Sequence, residues 1–70
     1  MVNLQSPLAG KILEINAEVG QQVTEDDELI IIESMKMENP IFSSAAGTVK
    51  EIKIKIGDRV NEGDILVVVE

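Results

Sequence analysis

Residues 6–33, SPLAGKILEINAEVGQQVTEDDELIIIE, and residues 43–70, SSAAGTVKEIKIKIGDRVNEGDILVVVE, are two versions of one sequence. At an offset of 37 positions, without a gap, 11 of the 28 pairs are identical, among them Gly10/Gly47, Ile15/Ile52, Gly20/Gly57, Val23/Val60 and Leu29/Leu66. Others are conservative, such as Ile12/Val49 and Ile30/Val67, and Leu4 corresponds to Ile41 just ahead of each copy. Two copies are too few for a solenoid, which needs at least three. The apolar face of each half must then cover that of the other, which predicts a small sandwich or flattened barrel with an internal two-fold axis.

The residue types set the class within that frame. Ile and Val number 18 against five Leu and three Met, and β-branched side chains suit pleated sheets. Glu51-Ile52-Lys53-Ile54-Lys55-Ile56 alternates with period two, as a half-buried strand does. No window carries a capped period of 3.6. The reading is all-β, with strands over 2–6, 10–17, 22–23, 28–34, 37–42, 47–54, 59–60 and 64–70. Gly20, Gly57 and Gly63 are expected at turns with φ above zero, and Asp26, the counterpart of Gly63, is a residue that tolerates that region. The expected core is Ile12, Ile15, Val23, Leu29 and Ile31, with their mates Val49, Ile52, Val60, Leu66 and Val68.

Composition excludes several functions. Seventy residues make one domain at most, and domains this short bury only about 60% of the surface of their unfolded chains. The chain has no Cys or His, so it lacks thiols, the usual zinc ligands and the commonest general base. One Phe and no Trp or Tyr leave no stacking platform for nucleic acid. A net charge of −7 disfavours phosphate backbones and anionic membranes. No apolar run reaches spanning length and the N-terminus does not read as a signal peptide, so a cytoplasmic, non-enzymatic domain covering 1–70 is the expectation.

One segment is not explained by the repeat. Ser34–Met37 joins the two copies, and its two-fold equivalents would lie beyond the chain ends. It should therefore turn at one pole, with both termini meeting at the other. Tight hairpins favour Asn-Gly, Asp-Gly or Gly. Glu33-Ser34-Met35-Lys36-Met37-Glu38 offers none and puts two large apolar side chains around a lysine. Such breaks of a local rule are expected at functional sites. From spacing alone, Met at i and i+2 is more often one face of a core strand. Lys36 is nonetheless the one lysine at the asymmetric turn, and a neutral lysine amine is a nucleophile towards activated acyl groups.

The segment Glu33–Glu38 resembles the attachment motif of biotinyl domains, where a lysine between two methionines carries biotin. Ser6-Pro7-Leu8-Ala9-Gly10 is similar to the family's opening strand and turn, and Gly57–Leu66 to its closing turn and strand. The resemblance covers essentially the whole chain. It implies a flattened barrel of two four-stranded antiparallel sheets. It also implies a carrier: biotin protein ligase would join biotin to Lys36, and the domain would move carboxyl groups between a biotin carboxylase and a carboxyltransferase or decarboxylase. Met35 and Met37 would be recognition flanks. Glu33 and Glu38 would help the ligase choose its target, although Glu33 matches Glu70 in the repeat, which fits a structural role equally. Ser34 stands where Ala is common, Asp26 where Gly is, and no segment is long enough for the thumb of some carriers. The alternative is a lipoyl carrier with lipoate on Lys36, but lipoyl domains usually place an acidic residue before that lysine.

Overall fold

Eight strands follow one another along residues 1–70, all of which are described by the computed structural model, and there is no helix. They are β1 (Val2–Gln5), β2 (Gly10–Ile15), β3 (Gln22–Val23), β4 (Glu28–Ser34), β5 (Met37–Phe42), β6 (Gly47–Ile52), β7 (Arg59–Val60) and β8 (Ile65–Val69). One sheet has the order β1-β8-β6-β3 and the other β5-β4-β2-β7, with every pairing antiparallel. Adding 37 to β1, β2, β3 and β4 gives β5, β6, β7 and β8, so the same operation converts one sheet into the other. The repeat in sequence is thus a two-fold in space.

The halves do not lie face to face as expected. Each sheet takes two strands from each half, so the copies interleave and neither can close a sheet alone. The strand ends also differ from expectation. β2 and β6 stop at Ile15 and Ile52, not at 17 and 54, after which Asn16 and Lys53 each donate one more backbone bond, to Leu29 and Leu66. The clearest alternating stretch in the sequence is therefore mostly outside the ladder. Ile52 and Ile54 pack against the core while half-buried, and Ile56 is exposed.

The core repeats pairwise. Ile12/Val49, Leu29/Leu66, Ile30/Val67 and Ile32/Val69 are all essentially inaccessible. Each such side chain contributes about 1.5–3 kcal/mol by leaving water. Of Ile31 and Val68, both expected inside, Val68 is buried and Ile31 only half-buried, and neither belongs to the central cluster, because four bulges change the phase. Pairing skips Leu29 on β4 and Leu66 on β8, and likewise Leu13 on β2 and Lys50 on β6. A bulge places two successive residues against one partner. Leu29-Ile30 and Leu66-Val67 consequently both point inward, and alternation restarts one residue late. Ile15 and Ile52 sit at the margin of the core.

Four turns, at 18–21, 24–27, 55–58 and 61–64, share one construction. The fourth residue's amide bonds the first residue's carbonyl, while its side chain (Gln21, Asp27, Asp58 or Asp64) accepts from the first residue's amide at 2.7–3.0 Å. Gly20, Gly57 and Gly63 take the third position with φ of 94°, 94° and 93°. Asp26 does not follow them: its φ is not positive, so this turn rounds the same corner by a conformation open to any residue.

Candidate functional site

β4 and β5 are joined by Met35 and Lys36 alone, between the paired residues Ser34 and Met37. Both have positive φ, 55° and 64°, the signature of a type I′ hairpin. They are the only non-glycine residues in that region of backbone space, and each such residue costs about 1–2 kcal/mol. The strands hold the turn in place. Six residue pairs run from Glu28↔Phe42 to Ser34↔Met37. The Asn39 side-chain amide, which lies beside Ile32, donates to the Ile32 carbonyl at 3.3 Å and the Met37 carbonyl at 3.1 Å.

The two methionines are not core. Met35 is 92% exposed and Met37 65%, and Lys36 between them is exposed as well. Lys36 makes no ion pair; the molecule's single one joins Lys53 to Glu51. Glu33 and Glu38 face each other directly across β4 and β5 at the base of the hairpin. The five residues singled out by the motif are thus gathered at one tip. The symmetry-equivalent position is occupied by the chain ends, side by side through Val2↔Val69.

A shallow cleft of about 260 Å³ lies against the hairpin, with Lys11, Arg59, Glu33, Ser34, Met35 and Lys36 in its lining. Three of the chain's six cations stand there. Gly10 opens this side: a Cβ at that position would collide with the Glu33 carbonyl and reach within 2.6 Å of the Ile32 side chain. Gly47 meets Glu70 in the same way at the other end. The sequence pattern read above does not single out Lys11, Arg59 or Asn39. The repeat itself carried a signal for the first two, because their mates Thr48 and Gln22 are uncharged. Nothing in the pattern marked Asn39, whose role depends on the register of β5 against β4.

No groups of Cys, His, Asp or Glu are placed to hold a metal ion. What the site offers is one solvent-facing primary amine on a turn fixed by six ladder pairs, flanked by two thioether side chains.

Other proteins share this fold. Urea carboxylase from Kluyveromyces lactis matches over 99% of this chain and 6% of its own, with a TM-score of 0.91 and 36% identity. A single-chain, multi-domain long-chain acyl-CoA carboxylase matches over 94% of this chain and 7% of its own, with a TM-score of 0.88 and 27% identity. The gamma subunit of glutaconyl-CoA decarboxylase from Acidaminococcus fermentans is 45% identical over 40 residues, 57% of this chain and 28% of that subunit. The chain thus spans a small part of each of these proteins. Residues 2–69, which span the whole interleaved barrel, match the Biotin_lipoyl model, described as biotin-requiring enzyme: the chain belongs to that family.

Proposed function

We propose that residues 1–70 form a carrier domain whose Lys36 amine is the attachment point for biotin. The observation that carries this is the presentation of Met35-Lys36-Met37. A lysine whose only purpose was solvation would need neither two strained loop residues nor two exposed methionines. The chain's own chemistry is limited to one step. The uncharged Lys36 amine attacks an acyl adenylate made by a biotin protein ligase; the C–N bond of an amide forms, AMP departs and the amine gives up a proton. Met35 and Met37 provide soft, apolar contacts for the ligase. Glu33 and Glu38 give it two carboxylates at the base of the hairpin that bears the lysine.

Biotin, once bound, supplies a ring nitrogen that accepts and releases a carboxyl group. The protein then holds the base of the arm still and leaves the rest free to visit two partners. A biotin carboxylase and a carboxyltransferase or decarboxylase fit that role, as the names of the similar proteins suggest. The domain performs no catalysis itself in this reading. Co-expression with a biotin protein ligase, followed by intact-mass measurement and peptide mapping, tests it. The expected result is a single biotinyl increment on Lys36. An unmodified mass, a lipoyl increment or a label on another lysine overturns it.

A further inference from the structure

Four charged residues form one row across the outer face of the β5-β4-β2-β7 sheet. Lys11 is the register partner of both Arg59 and Glu33, and Glu33 is the partner of Glu38. Directly opposed residues project from the same side of a sheet, and all four are exposed. From β7 to β5 the row reads Arg59, Lys11, Glu33, Glu38: two cations, then two anions. At strand spacing it extends about 14 Å. None of the four is in an ion pair, although Lys11 and Glu33 face each other. The arrangement opposes Arg59 to Lys11 and Glu33 to Glu38, which works against the fold, since like charges directly across a ladder repel.

The repeat provides an internal control. The corresponding row at the other end is Gln22, Thr48, Glu70 and Met1, with no Lys or Arg side chain in it. The two basic side chains were therefore not required by the barrel. They occur at the end bearing Lys36, and the two cations line the cleft beside it.

We infer that this bipolar row is the orienting surface for the protein that acts on Lys36, which would present an acidic patch to Arg59 and Lys11 and a basic one to Glu33 and Glu38. The inference rests on the reading of Lys36 as the modified residue. Anything that reaches Lys36 from this side must pass over the row. A two-plus, two-minus pattern admits a complementary surface in one orientation and rejects the reversed one. On a chain of net charge −7, it also gives the partner a local positive target.

The test compares two double variants that each make the chain two units more negative: Lys11→Gln with Arg59→Gln, and Gln22→Glu with Thr48→Glu at the opposite end. A biotin protein ligase is the probe, with labelling kinetics read at low and high salt. Thermal melts confirm that both variants are folded. We expect the first variant to lose about tenfold in kcat/KM at low salt, mainly through KM, and to converge on wild type at high salt. The second should follow wild type throughout. Equal loss in both variants, or no loss in the first while wild type is labelled, overturns this inference alone. A wild-type dimer that disperses in the Lys11→Gln, Arg59→Gln variant with labelling unchanged would assign the row to self-association and also overturn it. A wild type that is never labelled removes the reading of Lys36, and this inference with it.

Discussion

The hairpin at Met35-Lys36 and the turn at Lys55–Asp58 both reverse the chain, and they do it by opposite means. At 55–58, Gly57 takes the positive φ at no steric cost and Asp58 caps the Lys55 amide. At the hairpin, two residues with full side chains take positive φ and no side chain caps the loop from within it. The first is the local solution that best suits the fold. The second is less stable by itself and persists because the β4–β5 ladder and Asn39 enforce it. Glycine or asparagine would have suited the turn better, but neither carries an amine. Strain of this kind, about 1–3 kcal/mol per residue, collects at functional positions.

If the core supports the hairpin without sharing its chemistry, damage to one should leave the other readable. The largest effect belongs to the core. Ile32→Ala removes a side chain that is wholly buried in the middle of β4 and should cost about 2–5 kcal/mol. Urea titration would show it as a lower midpoint with an unchanged slope. Its mate Val69→Ala should lose somewhat less, having fewer methylenes to lose. A midpoint for Ile32→Ala equal to wild type would mean that the two sheets are not packed as described.

The next effect compares the turns. Nothing lies within 4 Å of a Cβ built on Gly57, so Gly57→Ala isolates the backbone and should cost about 1–2 kcal/mol. Asp26→Ala, at the third position of the related turn but without positive φ, should change stability by less than about 0.5 kcal/mol. Paired thermal melts check the difference. Equal losses would mean that Asp26 is also held in the left-handed region.

These contrasts show how far the sequence could be read. β3, β4, β5 and β7 match their expected bounds to the residue, because offset identities fixed where each half repeats and Gly or Asp fixed where it turns. The lysine tip was legible because it was the segment that the repeat left over. That Ile31 and Val68 lie outside the central cluster was not legible. It is decided by bulges at Leu29 and Leu66, and a run such as Leu-Ile-Ile-Ile is apolar at every position, so it contains no phase to read. Interleaving was hidden for a related reason: a two-fold repeat is equally compatible with stacked halves and with exchanged strands. The charged row required register between β2 and β7, whose residues lie 48 apart in sequence (Lys11, Arg59).

A smaller effect probes the hairpin itself. Met35→Asn with Lys36→Gly installs the dipeptide that a type I′ turn prefers. Removing most of the strain should stabilise the domain by about 1 kcal/mol, visible as a higher melting temperature, while abolishing labelling. A more stable protein that has lost its function would show that the native turn is a compromise. A lower melting temperature would mean that Met35 and Lys36 contribute packing that their exposure does not suggest.

The smallest expected change in stability accompanies a large change in labelling. Met35→Asp with Met37→Ala alters two exposed side chains, so the melt should stay within about 0.5 kcal/mol of wild type. Lys36 keeps its place, because the six ladder pairs and the Asn39 bonds to backbone carbonyls do not involve either methionine side chain. A ligase pocket shaped for thioethers must nevertheless desolvate the introduced carboxylate without pairing it, a cost of several kcal/mol. The rate of biotinylation should fall by at least tenfold, since each 1.4 kcal/mol of lost transition-state binding is a factor of ten. Labelling kinetics and melts on the same sample separate the outcomes. A near-native melt with a collapsed rate assigns the methionines to recognition. A near-native melt with an unchanged rate would show that the ligase reads the turn's backbone shape and its lysine alone, and would leave the exposed methionines without a purpose.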